Sequence, residues 1–202
     1  MFVDVANTPV LDVYHLLVGI VTPRPIAWVT TVDREGRVNL APFSFFNAFG
    51  ANPPVVVFSP TLRRDGTKKD TLRNVEATGE FVLNAAVESL ADKINLSSKE
   101  IAYGDSEVEL TGLHVLPSTK VKPPRLAEAP VHMEGRVRQI VPVGNGPISA
   151  NLVIGEIVAL HVDERVLDGQ GRIDPRKLQT IARLGGDWYC RTSDLFEMKR
   201  PT

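Results

Sequence analysis

One cysteine, Cys190, is all that the 202-residue chain contains, so no intrachain disulfide forms and a cysteine-based zinc cluster is excluded. A lone thiol is compatible with a reducing compartment. Long apolar runs are missing as well. Leu16 to Val21 falls far short of the roughly 20 residues that a membrane helix needs. Met1-Phe2-Val3-Asp4 lacks the basic start and apolar stretch of a secretory signal, and the expectation is a cytoplasmic globular protein with no membrane partner. The net charge of −1, from 23 Lys+Arg against 24 Asp+Glu, leaves no basic excess for a general nucleic-acid binder. Familiar catalytic fingerprints are absent too. There is no GxGxxG, GxxxxGK[ST], HExxH or GxSxG. The four histidines, His15, His114, His132 and His161, include no pair with metal-ligand spacing on one helix face.

What is present suffices for a packed core. Hydrophobic residues make up 43% of the chain, and a chain of this length buries roughly 70% of its unfolded surface without a metal or disulfide staple. A single domain over residues 1–202 is expected. Gly and Pro punctuate short runs rich in Val, Ile and Phe, which predict strands at Ile26–Val32, Val38–Phe46, Val55–Ser59, Glu80–Asn84, Val131–Val143 and Leu152–Val162. Gly155 inside the last run suggests a bulge or a close backbone approach. Helical spacing appears at Leu11–Leu17, Thr71–Ala77, Glu88–Leu96 and Pro175–Arg183. Asp70 and Asp174 stand at N-cap positions, and Gly79 lies beyond the second helix. Pro117–Pro130 reads as a surface crossing. Strands dominate without regular alternation with long helices. That pattern predicts a mainly β fold with attached helices, an antiparallel barrel or sandwich.

Thr22 to Thr71 carries the chemistry. Five of the eight phenylalanines, Phe43, Phe45, Phe46, Phe49 and Phe58, fall there, interrupted by Ser44, Asn47 and Asn52. Apolar walls with a few placed polar groups suit a large planar ligand. Next comes Ser59-Pro60-Thr61-Leu62-Arg63-Arg64-Asp65-Gly66-Thr67-Lys68-Lys69-Asp70-Thr71, hydroxyls and cations between a buried strand and a helix start. Arg63, Arg64, Lys68, Lys69 and Arg73 are opposed there only by Asp65 and Asp70. Such a loop offers positive charge, donors and a helix N-terminus to a phosphate. The two features together suggest a planar aromatic cofactor with a phosphate tail, without naming it.

These residues resemble the flavin reductase-like, FMN-binding split-barrel family. The matching motifs are Pro23-Arg24-Pro25-Ile26 with Thr30-Thr31, Asn39 to Ala48 as N-x-A-P-F-S-F-F-N-A, Asn52-Pro53-Pro54 and Lys69-Asp70-Thr71. Asn74-Val75, Glu80-Phe81-Val82-x-Asn84, Val121-Lys122-Pro123-Pro124, Leu152-x-Ile154-Gly155-Glu156-Ile157 and Leu184-Gly185-Gly186-x-x-Tyr189 continue the series over almost the whole chain. The resemblance implies a six-stranded Greek-key split β-barrel and a homodimer with FMN near the subunit interface. It implies flavin redox chemistry, often with NADH or NADPH as donor. Carried over by position, Ser59, Arg64, Lys69 and Thr71 would hold the phosphate. Thr30, Phe46, Asn47 and Ala48 would line or hydrogen-bond the isoalloxazine ring, and the segment ending at Tyr189 would close over it. Several characterised flavin reductases of this family carry a histidine shortly before the strand matching Leu152–Ile157, associated with nicotinamide binding. Here Ile148-Ser149-Ala150-Asn151 has none, and His161 follows the strand instead.

Three functions fit that resemblance. One is an oxidoreductase moving hydride from NAD(P)H to flavin. Another is an electron-transfer flavoprotein serving a redox protein partner. A non-catalytic FMN-binding module is the third.

Overall fold

The computed structural model describes residues 1–201. Helix α1 (Val10–Ile20) leads into β1 (Arg24–Pro25), β2 (Ala27–Val32), β3 (Val38–Phe43), β4 (Phe46–Ala51) and β5 (Pro54–Phe58). Helix α2 (Asp70–Thr78) and β6 (Glu80–Ala85) follow, then α3 (Ala91–Leu96), α4 (Glu107–Thr111), β7 (Val115–Leu116) and β8 (Arg125–Leu126). The chain ends with β9 (Val131–Val143), β10 (Ala150–Val162), α5 (Pro175–Leu178), β11 (Ile181–Arg183) and β12 (Tyr189–Arg191). Among the described residues no helix is long and apolar enough to cross a membrane.

Seven strands form one antiparallel sheet in the order β3-β2-β6-β9-β10-β5-β4, and β1, β11 and β12 form a second, smaller one. The outer strands β3 and β4 lie at opposite edges, yet only Ser44 and Phe45 separate them in sequence. Two residues span at most about 11 Å between flanking Cα atoms. The sheet therefore curls until its edges nearly meet, which makes a barrel with one split. Pro42 costs no ladder hydrogen bond because β3 is an edge strand.

The run expected as one strand, Val38–Phe46, is broken at this split, so the main sheet has seven strands where six were expected. The Ser44 hydroxyl accepts from Arg24 Nε at 3.3 Å, and the Phe45 carbonyl accepts from Ser59 N–H at 2.9 Å. These bonds turn the chain from β3 onto β5. The helix expected over Pro175–Arg183 also differs. It stops at Leu178, where Gln179 takes φ 49°, and Ile181–Arg183 becomes β11 because Ile181 and Ala182 are buried against the neighbouring sheet. Asp174 caps α5 as expected, accepting from Arg176 N–H. Asp70 is not a cap. Lys69 occupies that position, and the Asp70 carboxylate instead meets Arg63 Nη2 at 3.3 Å.

Gly155 fulfils its expected role. The β9–β10 register shifts beside it, and a Cβ there would stand 2.3 Å from Phe81 Cζ. Gly135, opposite Phe81 on β9, leaves the same ring space. Phe81 thus lies flat across two neighbouring strands inside the barrel, with Phe58, Leu72, Val29 and Val153 around it. A second apolar cluster, on Trp28, Leu40, Ile94 and Leu126, packs the α3–α4 region on the sheet.

A buried polar network holds the 117–126 crossing. The Glu134 carboxylate, fully buried, accepts from Thr119 N–H at 2.7 Å and Lys120 N–H at 2.5 Å, and pairs with His161 Nε2 at 2.6 Å. His132 Nε2 bonds the Leu126 carbonyl at 2.7 Å, while its buried Nδ1 has no partner among the described residues. Burial holds the His132 pKa below its ordinary value, with Arg125 and His161 adding to the effect against the Leu126 carbonyl and Glu134. Protonation therefore favours the unfolded chain. Stability is retained above about pH 6.5 and is lost as pH falls below it, because the unfolded histidine takes the proton first. Urea titration at pH 7.5 and 5.5 checks this: the midpoint drops for the parent chain and drops less for His132→Gln.

Candidate functional site

The loop between β5 and α2 is ordered by its own polar groups. Asp65 Oδ1 accepts from the Thr67 N–H at 2.8 Å and hydroxyl at 2.7 Å, Arg63 N–H reaches the Thr67 carbonyl at 2.8 Å, and Gly66 turns at φ 80°. Ser59 is buried at the loop's start, its Oγ accepting from Asn151 N–H at 3.2 Å. Thr71 lies in the first turn of α2 and accepts from Asn39 Nδ2 at 2.9 Å.

Beside this loop runs a cleft with two adjoining lobes, of about 150 and 200 Å³. Each exceeds the roughly 30 Å³ of a single water several-fold, so the cleft accommodates a multi-atom ligand. Both lobes share Pro42, Phe43, Lys69 and Ser98. The first is polar, lined by Asn39, Arg63, Thr71, Lys99 and Glu107. The second has the aromatic walls Tyr14, Phe45 and Tyr189 with Ser59, Thr61 and Arg183.

Lys69 stands at the waist. Among the described residues its ammonium makes no hydrogen bond and no ion pair; it lies over the Phe43 ring, 5.6 Å from Nζ to the centroid. Burial pulls its pKa below the ordinary lysine value, Arg63 pulls the same way, and Glu100 only partly opposes them. A half-buried cation without a counter-ion favours an anionic ligand. In the polar lobe, burial pushes the Glu107 carboxyl above its ordinary range although it accepts from Leu40 N–H at 2.9 Å.

Of the residues expected from sequence, the structure gathers Ser59, Lys69, Thr71 and Tyr189 around this cleft. Arg64 is exposed and lines neither lobe; Arg63 takes the inward place. Thr30 is fully buried elsewhere, its hydroxyl 2.5 Å from the Pro124 carbonyl. Phe46 lines a different, apolar cavity between β1, β6 and β11. Asn47 and Ala48 lie exposed on β4, where Asn47 Oδ1 accepts from Ala48 N–H at 2.8 Å. Tyr14, Ser98 and Arg183 were not anticipated. They reach the cleft through packing between segments far apart in sequence, which no local pattern encodes. Among the described residues no group of three or more His, Cys, Asp or Glu is placed to hold a metal ion.

A family model described as flavin reductase like domain matches residues 20–178. The chain is similar to nitrilotriacetate monooxygenase component B from Bacillus cereus, at 36% identity over 98% of each chain with a TM-score of 0.92. It is also similar to 2-nitrobenzoate 2-nitroreductase from Pseudomonas fluorescens, at 33% identity over 100% of this chain and 97% of that one, TM-score 0.89. A split-barrel protein from Shewanella frigidimarina, 24% identical over all of both chains with a TM-score of 0.84, shares the fold.

Proposed function

The chain belongs to the flavin reductase-like family of FMN-binding split barrels, and on that premise we propose that it is an FMN-binding oxidoreductase using NADH or NADPH as donor. The observation that carries the reading is the unpartnered Lys69 ammonium at the waist of the cleft. A phosphate there would supply the missing counter-ion. Arg63, Ser59, Thr61, Thr71 and Ser98 stand around it as further cation and hydroxyl donors. The aromatic lobe fits an isoalloxazine ring: Tyr14, Phe45 and Tyr189 provide flat apolar contact, and Ser44 and Arg183 provide polar atoms at its edge. Bound FMN supplies the hydride-accepting chemistry. The protein's part is to hold the ring, exclude water on one face and leave the other open to the donor within about 3–3.5 Å. No side-chain acid or base is needed for hydride transfer.

A homodimer belongs to the same proposal. Its support is the uncovered apolar surface on α1 and β4, where Ile20 is 76% and Phe49 67% exposed. A monomer in sedimentation would remove that part.

A second reading, electron transfer with a redox protein partner, is favoured by Ile148–Asn151. This stretch, which leads into the first residues of β10, precedes the segment Leu152–Ile157 and offers no imidazole to a nicotinamide. Anaerobic titration of the FMN-loaded protein with NADH and NADPH separates the two. Bleaching of the flavin absorbance at a turnover-competent rate by either nucleotide is the expected result. Slow bleaching by both, with fast reduction by a redox protein, would overturn the donor assignment. A protein that takes up no FMN would overturn both readings.

A further inference from the structure

The two lobes differ in charge balance. In the polar lobe Arg63, Lys69 and Lys99 face Asp70, Glu100 and Glu107. The aromatic lobe has Lys69 and Arg183 and, among the described residues, no carboxylate in its lining. Arg183 is not neutralised from behind. Its Nη2 donates to the Gly186 carbonyl at 2.7 Å, and its guanidinium carbon lies 4.5 Å from the Tyr189 ring centroid.

Directly behind this wall is another cation. Arg24 is buried, with Nε on Ser44 Oγ at 3.3 Å, Nη1 on the Val18 and Val21 carbonyls, and Nη2 on the Leu184 carbonyl at 2.9 Å. All its acceptors are neutral. Ser44 lines the aromatic lobe, and Leu184 follows Arg183 in the chain. Two guanidinium groups without carboxylate partners among the described residues thus stand at a partly sheltered lobe whose other walls are aromatic and hydroxyl side chains and Lys69. Charges in such surroundings act on one another far more strongly than in water.

Addition of a hydride, one proton and two electrons, to the oxidised flavin ring turns the donor NAD(P)H into NAD(P)⁺ and leaves the ring one unit more negative. A site with surplus positive charge therefore distinguishes the two redox forms. We propose that Arg183, with Arg24 behind it, makes the aromatic lobe hold reduced FMN more tightly than oxidised FMN. This rests on the flavin reading above. Arg183 is the specificity-determining group, and Arg24 is a positioning residue that fixes Ser44, Leu184 and the end of α1 around it. Tight retention of the reduced form makes the flavin a resident carrier and not a diffusible product.

The test is the midpoint potential of FMN bound to the intact protein, measured spectroelectrochemically beside free FMN, with the Kd of oxidised FMN measured separately by fluorescence. The bound midpoint is expected above the free one. Arg183→Gln should lower it by about 30 mV or more, which for a two-electron couple is a tenfold loss of preference for the reduced form. The Kd of oxidised FMN should change less than threefold, and Arg183→Lys should recover most of the shift. A bound midpoint at or below that of free FMN, or equal weakening of both redox forms in Arg183→Gln, would overturn the proposal. Failure of the parent protein to bind oxidised FMN is a different result, and it would overturn the flavin reading itself.

Discussion

Replacing Lys69 with alanine is expected to weaken FMN binding by about 5- to 150-fold, equivalent to the roughly 1–3 kcal/mol of a charge-assisted hydrogen bond in a partly shielded site. Riboflavin, which lacks the phosphate, should bind the variant as well as it binds the parent. The physical basis is that, among the described residues, Lys69 makes no ion pair, and Glu100 only partly offsets its burial. Removing an ion-paired lysine would strand a carboxylate, whereas removing this one strands nothing in the free protein, so folding should be little affected. The fall in affinity should also be larger at low ionic strength, since salt screens the remaining charges. Fluorescence titrations with the two flavins check the outcome. Equal losses for both would place the phosphate elsewhere in the cleft.

The largest expected effect on stability comes from adding one methyl group at Gly135. Its Cβ would stand 2.2 Å from Phe81 Cζ and 2.5 Å from Cε2, and both ring atoms belong to a fully buried side chain. Phe81 has no empty space to enter, because its ring meets Phe58 edge-on at 5.2 Å and lies over Gly155 on the next strand. Gly135→Ala is expected to cost about 3 kcal/mol or more, the upper end of overpacking in a close-packed core. Urea unfolding reads the loss directly. A double variant adding Phe81→Leu should lose less than the sum of the two single changes, since the shorter side chain removes the clash. Simple additivity would mean that the glycine is not there to receive the ring.

Much of this was readable from local pattern. Val131–Val143 matches β9 end for end, because a long run rich in β-branched residues closed by Gly144-Asn145-Gly146 has few alternatives. Gly155 was legible because a glycine inside a β-branched run needs a reason. The basic loop between β5 and α2 stood out by charge density, and Lys69 with it. Choosing between Arg63 and Arg64 was not legible, since adjacent residues in an irregular loop carry no periodicity to say which faces inward. Arg183 was hidden differently: the apolar spacing of Pro175–Arg183 fits a helix, and only the pairing of Ile181–Arg183 with Arg24–Pro25 and Tyr189–Arg191 makes it a strand that aims at the cleft. Tyr14 comes from α1, and Ser98 follows α3. Neither segment shows any chemistry in isolation.

The two-residue link at Ser44–Phe45 has a mechanical consequence. Around most of the barrel, parting two strands means breaking a ladder, but at the split β3 and β4 share none. The easiest breathing of the structure is therefore a widening at that line, where small openings cost least. Phe43, Ser44 and Phe45, which close one end of that line covalently, also line the aromatic lobe. The link ties the two strands together beside the cleft, so the gap opens toward the far ends at Val38 and Ala51, and the barrel can breathe while the aromatic wall stays in place.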